Sequence, residues 1–244
     1  MTTLCAIPST LSARTPSGRH AEPCAFCPAR ERSVCAAVGE ADLARLAAIA
    51  QPMSISEGRA FIAEGDPAEH FFNITAGTAK LFKLLPDGRR QITGFASIGS
   101  FLGLAVSVTY AFGAEAVEPV HLCRFSRPRL RTLIDDLPAM EKRLLEVASN
   151  ELVAAQEQML LLGRKTARER VASFLLARRD PPAAALVSLP MARTDIADYL
   201  GLTIETISRT LTRLRNEGLI DLPSPTRVRL LDPAGLNTLA TGLS

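Results

Sequence analysis

The sequence predicts an α+β fold in three parts: an antiparallel β domain, one long helix, and a C-terminal pair of short helices followed by a β-hairpin. Three observations carry this prediction. Short β-rich runs between turn residues fill positions 53–125, apolar residues repeat in a heptad at 145–162, and two helical patterns flank a glycine at 194–216. The chain has 244 residues, of which 47% are hydrophobic and 22% charged, so it is neither wholly disordered, collagenous nor membrane-embedded.

The N-terminal region is expected to be irregular. We interpret residues 1–37 as a mobile tail followed by a cysteine-rich segment, because the first twenty residues are small and polar and show no period. Residues 40–50 then carry apolar side chains at helical spacing and predict a short amphipathic helix. Residues 1–10 lack the basic start and apolar core of an export signal, so we expect a cytoplasmic protein with no membrane partner.

Residues 38–137 form the predicted β domain. Turn residues recur along it, and Asp87-Gly88 between two β-rich runs is a strong hairpin signal. Regularly spaced short strands are typical of an antiparallel sandwich or barrel. The last strand is predicted at 117–125, with one face formed by His121, Cys123 and Phe125.

A single helix about 39 Å long is predicted over 138–163. Its apolar residues step by three and four positions, which is the spacing of a coiled-coil seam. The seam consists of Leu145, Ala148, Leu152, Ala155, Met159 and Leu162. Spacing alone leaves open whether this stripe meets a second chain or its own domain. Mostly polar flanking positions favour the second chain, so we predict a dimerisation helix.

Residues 164–244 form the predicted C-terminal domain. Between 164 and 229 there are 12 Lys and Arg against 7 Asp and Glu, as expected of a domain that meets a polyanion. Thr194 is predicted to cap a first helix that ends at Leu200. After a turn at Gly201-Leu202-Thr203, a second helix is predicted from Ile204 to about Asn216.

This second helix has two faces of different chemistry. Its apolar face comprises Ile204, Ile207, Leu211 and Leu214, and its polar face comprises Glu205, Ser208, Arg209 and Thr212. The polar face suits a helix lying in a major groove, where Arg209 pairs with guanine, Glu205 accepts from cytosine and Ser208 contacts a neighbouring base edge. Two β-rich runs at 219–222 and 227–230 predict a wing whose arginines touch phosphate. A generic helical hairpin with solvated charges is the alternative, and the order of helix, turn, helix and wing disfavours it.

Five cysteines stand in the sequence. Three of them, Cys24, Cys27 and Cys35, lie within twelve residues of a chain without an export signal, which indicates a metal or redox site rather than disulfides. With Cys123 they make four thiols, the number of thiolates that an iron–sulfur cluster needs. Structural zinc and unliganded cysteines stay open, although zinc sites usually show two C-x2-C pairs. Cys5 lies in the tail and matches no ligand position.

Enzymatic function is not predicted. None of the three histidines has a nucleophile and an acidic partner at a recognisable spacing, and no glycine-rich phosphate loop is present.

Several motifs resemble the CRP/FNR superfamily of bacterial transcription regulators over nearly the whole chain. Residues 64–77 resemble the family's sensory β-roll (a jelly-roll), and 161–170 resemble its passage from the dimerisation helix to a winged helix-turn-helix. Glu205-Thr206-Ile207-Ser208-Arg209 is similar to the E-x-x-S-R recognition motif of the FNR and FixK branches. The resemblance implies a homodimer that works with RNA polymerase and binds a palindrome of the TTGAT-N4-ATCAA kind. Its DNA-binding residues would be Glu205, Ser208, Arg209, Thr212 and Thr203.

The FNR branch senses oxygen through a 4Fe-4S cluster, and the cysteine layout here is similar to that of its FnrN, FnrL and FixK-type members. The resemblance implies that Cys24, Cys27, Cys35 and Cys123 ligate the cluster, and that an intact cluster favours the dimer. The protein would then be an oxygen-responsive regulator, an activator of anaerobic or microaerobic genes.

Two other effectors are weighed against the cluster. The residue pairs with which the cAMP-binding branch holds the nucleotide are missing at 99–103 and 111–114, so we expect no cyclic nucleotide. The alternative function is a CRP-family regulator gated by another small ligand or haem, with zinc or no metal at the cysteines.

Overall fold

The computed structural model describes residues 22–104 and 108–242 of the chain. The predicted tail at 1–20, with Cys5, lies outside the described residues. The described part combines antiparallel sheets with helices and confirms the predicted α+β class. None of its helices is both long and apolar enough to cross a membrane.

The cysteine-rich segment folds into short helical turns. It contains α1 (Glu22–Ala25) and a 3-10 turn (Val34–Ala37). A second 3-10 turn (Glu40–Asp42) leads into α2 (Leu43–Ile49), which confirms the short helix predicted at 40–50.

Two four-stranded antiparallel sheets build the β domain and confirm the β-roll. Their strands are β1 (Ala50–Ile55), β2 (Ala60–Ile62), β3 (His70–Ala76), β4 (Ala79–Leu84), β5 (Arg90–Ala96), β6 (Phe101–Leu102), β7 (Gly113–Ala116) and β8 (Val120–Ser126). The strand orders are β1-β8-β3-β6 and β2-β7-β4-β5. Apolar residues from both sheets form one buried core between them.

The predicted hairpin is confirmed, whereas the predicted start of the last strand is wrong. β4 pairs with β5 across the Asp87-Gly88 turn, where Gly88 has a φ of +85° that favours glycine. The last strand begins at Val120 and not at Val117. Pro119 lacks the amide hydrogen that a central strand needs, and β8 is central because it pairs with both β1 and β3.

Helix α3 (Arg127–Asp136) follows the roll and was not predicted. Helix α4 (Pro138–Arg164) has 27 residues, a length of about 40 Å, and agrees with the helix predicted over 138–163. It ends where Lys165 adopts an extended conformation.

The C-terminal domain contains the predicted helix-turn-helix and wing. Its elements are α5 (Ala167–Ala177), β9 (Leu186–Ser188), α6 (Arg193–Leu200), α7 (Ile204–Asn216), β10 (Ile220–Ser224), β11 (Arg227–Leu230) and α8 (Pro233–Thr241). The wing is a three-stranded sheet with the order β10-β11-β9, because β9 adds a strand that was not predicted.

Two details of the helix-turn-helix prediction are wrong. Thr194 is not a cap, because α6 begins at Arg193 and Thr194 therefore lies inside the helix. The N-cap is Ala192, which makes no side-chain cap hydrogen bond. Ile204 is not part of the buried face: its side chain is 42% exposed at the start of α7. The turn is as predicted, with Gly201 in the left-handed region.

A separate apolar core lies under the cysteine-rich segment. It joins Val34 of that segment and Leu46 of α2 to Phe125 of β8, Leu130 of α3 and Met140 of α4, and all five are buried. The segment is therefore packed against both the β-roll and the beginning of the long helix.

The C-terminal domain docks on the sheet β2-β7-β4-β5. Phe95 of β5 contacts the rings of Phe174 and Tyr199, with centroid distances of 6.2 and 5.3 Å. Beside them, Lys80 of β4 donates a hydrogen bond to Asp195 of α6 at 3.0 Å, and both side chains are buried. The helix-turn-helix thus has a defined position relative to the β-roll.

Candidate nucleic-acid interface and cysteine site

Helix α7 begins at a strong cap. Thr203, in extended conformation, accepts a hydrogen bond from the amide of Thr206 through its hydroxyl oxygen at 3.2 Å. The helix buries Ile207, Leu211 and Leu214 in the core of the C-terminal domain, and packing on this side turns the opposite side outward. The polar face is exposed as predicted, at Glu205, Ser208, Arg209 and Thr212. Their contact with DNA stays a prediction.

The chemistry of this face is that of a base reader. A hydrogen bond from its own backbone amide, another from Thr203 and the charge of Arg209 lower the pKa of Glu205. The carboxylate is therefore ionised and able to accept from a base amino group at neutral pH. One turn further on, the exposed guanidinium of Arg209 offers the planar pair of donors that fits guanine O6 and N7.

Additional arginines surround this face. Arg227 and Arg229 of the wing are exposed, as the phosphate-contact prediction requires, although Arg229 also lies 3.6 Å from Asp221. Arg213 and Arg215 in the last turn of α7 are exposed as well and were not singled out from the sequence. For Arg213 the spacing along the helix was the signal available, since it lies about one turn beyond Arg209.

The four candidate ligand cysteines come from four local structures. Cys24 lies in α1, Cys27 in the turn that follows it, Cys35 in the 3-10 turn Val34–Ala37, and Cys123 in β8. The buried hydroxyl of Ser33 accepts a hydrogen bond from the Cys35 amide at 3.2 Å and starts that turn. All four are free thiols.

The structure brings these cysteines together, since Cys35 lies in an apolar core against which Cys24 and Cys123 also pack. Burial, together with the neighbouring Cys27, Cys24 and Cys35, raises the pKa of Cys123 to about 12. Burial likewise raises the pKa of Cys35 to about 11, with contributions from Cys24 and Cys27, while a hydrogen bond from Ser33 opposes the rise. A strand residue and an N-terminal segment some ninety residues away thus share one environment.

The surroundings of the thiols contain one close cation. Burial raises the pKa of both Cys24 and Cys35, the charge of Arg30 opposes part of each rise, and its guanidinium donates to the Val38 carbonyl at 3.1 Å. Arg32, in contrast, points to the C-terminal domain and pairs with Asp180 at 2.6 and 3.0 Å. In the described part of the chain, no three His, Cys, Asp or Glu side chains are arranged to hold a single metal ion.

An apolar stripe runs along the exposed side of α4. Leu145, Leu152 and Met159 are 69, 61 and 65% exposed, and the alanines between them are exposed too. Every residue from 148 to 157 is exposed, so this stretch of helix contacts little of its own chain. Leu162 is the exception on the seam: it is half-buried against the core of the C-terminal domain. Exposed apolar stripes of this kind mark association surfaces.

A β-roll joined by a long helix to a winged helix-turn-helix, with an exposed polar recognition helix, defines the class of DNA-binding transcription regulators. Comparison with known proteins agrees. The family described as "Cyclic nucleotide-binding domain" matches residues 52–136, and the "Crp-like helix-turn-helix domain" matches residues 169–239. The chain belongs to the CRP/FNR family, whose members are transcription regulators and not enzymes.

Individual relatives cover most of the chain. The transcriptional activatory protein AadR of Rhodopseudomonas palustris is 44% identical over 88% of this chain and 91% of its own. The nitrogen fixation regulation protein FixK of Bradyrhizobium diazoefficiens is 41% identical over 89% and 93%. The solved structure of FixK2 from Bradyrhizobium japonicum is 35% identical, has a TM-score of 0.75, and covers 78% of this chain and 97% of that one.

Proposed function

We propose that this protein is an oxygen-responsive transcriptional activator that binds palindromic DNA as a dimer and senses oxygen through a 4Fe-4S cluster. Cys24, Cys27, Cys35 and Cys123 would hold the cluster. The observation that carries the proposal is the packing of Cys24, Cys35 and Cys123 at one apolar core, although Cys123 is far from the others in sequence.

The donor set supplies one thiolate for each iron of a four-iron cube. Thiols of the N-terminal segment and of β8 pack at the same apolar core, so both parts of the chain are placed to hold one cluster. When bound, the cluster supplies an oxidisable inorganic core. Arg30 offsets part of the negative charge that the deprotonated thiols bring.

The packing offers a route from the cysteines to the long helix. Cys35 and Val34 belong to the same apolar core as Met140, Leu144 and Val147 of α4. A change in the cysteine segment therefore acts on the first turns of the helix whose exposed stripe would form the dimer. Oxygen can shift the dimer equilibrium only as far as the cluster stabilises one packing of this core over the other.

DNA binding completes the proposal. Two α7 helices, one from each chain, would read the two halves of a TTGAT-N4-ATCAA-like site with Glu205, Ser208 and Arg209. One half-site alone is a weak ligand, so loss of the dimer sharply lowers affinity. Activation, and with it contact with RNA polymerase, is supported by the name of the relative from Rhodopseudomonas palustris, a transcriptional activatory protein.

The proposal is tested by metal analysis of protein purified without oxygen. We expect brown protein with about four irons and four acid-labile sulfides per chain, which loses its colour, its dimer and its operator binding in air. Cys24→Ser and Cys123→Ser should each abolish iron retention and anaerobic promoter activation. Cys5→Ser is the matched control, because Cys5 belongs to no predicted ligand set, and it should behave as the wild type.

Other outcomes would contradict the sensor. Colourless protein that contains zinc would support the ligand-gated alternative. Protein that contains haem and no acid-labile sulfide would support it as well. Unchanged anaerobic activation by Cys24→Ser would indicate a constitutive DNA binder with idle cysteines.

A further inference from the structure

The ends of two helices meet at one side chain, that of Arg170 in α5. Its guanidinium donates to the carbonyl oxygens of Lys165 at 2.8 Å, Leu162 at 2.9 Å and Leu200 at 2.8 Å. A longer contact reaches the carbonyl of Gly201 at 3.4 Å. Two of these acceptors belong to the end of α4, and the other two to the end of α6.

An arginine suits this position for a physical reason. The last carbonyls of a helix have no partner within the helix, and they form the negative end of its dipole. A guanidinium is always charged and presents five donors in one plane, so one side chain bonds carbonyls of two helix ends at once. A lysine ammonium concentrates three donors at a single point and cannot span both ends.

The backbone that carries the Arg170 side chain is held in place as well. Thr166 and Glu169 form a reciprocal capping box at the start of α5, in which the Thr166 amide donates to the Glu169 carboxylate at 2.9 Å. Arg170 follows directly, in the same ordered first turn.

Two more contacts join the end of α4 to the end of α6, and we call this junction the joint. Gln158 of α4 donates to the carbonyl of Tyr199 in α6 at 2.9 Å. Leu162 reaches so close to Gly201 that a Cβ there would lie 3.3 Å from its Cδ2 atom, and Gly201 has a φ of +61°. The turn that leads into α7 is therefore fitted against α4.

We propose that Arg170 is a positioning residue for DNA reading: it fixes the angle between α4 and the helix-turn-helix, and so sets the distance between half-sites that the dimer accepts. This inference rests on the proposed dimer and palindrome. In a dimer formed along α4, the separation of the two α7 helices depends on this joint in each chain. One added base pair moves a half-site by about 3.4 Å and rotates it by about 35°, which a rigid joint rejects and a loose joint tolerates.

The test measures binding of the anaerobically purified full chain to a series of duplexes. They carry TTGAT and ATCAA with the N4 spacer, with spacers one base pair shorter or longer, or a single half-site. We expect the wild type to prefer the N4 spacer by about tenfold or more. Arg170→Met and Arg170→Lys should reduce this preference to about threefold or less, with half-site binding unchanged within about twofold.

The control is Arg168→Met in the same helix. Arg168 pairs with Glu217 inside the C-terminal domain, at 2.5 Å, so this variant should keep the wild-type spacer profile. A merely structural role for Arg170 predicts equal weakening on every duplex, and that result, or an unchanged spacer preference in folded Arg170→Lys, would overturn the inference. A wild type without any spacer preference would instead overturn the proposed dimer on a palindrome.

Discussion

Single residues of α7 combine structural and recognition roles. The Thr203 hydroxyl caps the helix two residues before Glu205, so the first base-reading side chain lies in the turn that this group starts. An acid facing a polyanion is unfavourable for general charge attraction, which leaves base recognition as the reason for it. Glu205 and Arg209 lie one turn apart on the same face and are expected to read neighbouring bases.

Arg209 provides the residue-scale prediction. Arg209→Ala should cost about 1–3 kcal/mol per half-site and relax base choice at one position, because a bidentate contact to guanine is lost. Competition binding at fixed salt, with operators substituted at each base, measures both effects. Arg227→Ala in the wing is the control: it should weaken all sequences alike and lower the salt slope by about one. An unchanged base preference in Arg209→Ala would refute its assignment.

The spacing of apolar residues in α7 predicted most of its buried face and missed the environment of two positions. Ile207, Leu211 and Leu214 are buried as their spacing predicts. Ile204 follows the same spacing but lies in the first turn and is largely exposed, whereas Thr210 is 7% exposed although it is polar. The edge of a core depends on what packs there, and spacing within one helix does not contain that information.

Helix α4 carries the element-scale prediction, since its stripe is exposed in the single chain. Leu152→Glu should leave the monomer folded and weaken dimerisation by about 3 kcal/mol or more, because two leucines lose their burial and two charges face each other. Sedimentation equilibrium of the anaerobic protein measures the change, expected to exceed about a hundredfold in the dimer Kd.

Val153→Glu is the matched control for the stripe. Val153 is 53% exposed and follows Leu152 in sequence, but it lies outside the a and d positions of the heptad. The Val153→Glu variant should therefore still form the dimer. Loss of the dimer in both variants, or in neither, would show that the interface is not the predicted seam.

Most elements with a clear period were predicted, with α3 the exception, since its Leu130, Leu133 and Ile134 have helical spacing. The heptad predicted helix α4, and the glycine turn predicted the β4–β5 hairpin. Helix α5 was missed because apolar residues fill every position but Ser173 from Val171 to Ala177, so no period stands out in the sequence, although the buried residues share one face of the helix. Its capping box at Thr166 and Glu169 was the available signal. Strand β9 has three residues, too few for any pattern.

At the scale of the whole molecule, the docking of the two domains could not be read from the sequence. Lys80 and Asp195 are 115 positions apart, and each reads as an ordinary surface charge. In the fold they are buried together, with Glu115 at 2.9 Å from Lys80 and Arg90 at 3.2 Å from Asp195. The half-exposed pair of Arg32 and Asp180 also joins the domains, but solvent and salt screen it.

This buried ion cluster supports a prediction about the coupling between the domains. Asp195→Leu alone leaves the Lys80 ammonium with one anionic partner fewer in a buried site, and should destabilise the docked state by about 1–3 kcal/mol. Lys80→Met alone should have a similar effect on Asp195. The double variant removes one charge of each sign and keeps Arg90 with Glu115, so it should regain much of the loss.

A double-mutant cycle measures this coupling through hydrogen exchange in β4 and α6 and through proteolysis at the junction after Arg164. We expect a coupling free energy of about 1–3 kcal/mol between Lys80 and Asp195, with both domains still folded in each variant. Asp221→Asn is the control, because its pair with Arg229 is exposed and lies within the wing. Additive effects of the two single substitutions would mean that the aromatic contacts of Phe95 hold the domains together and that the ion cluster does not.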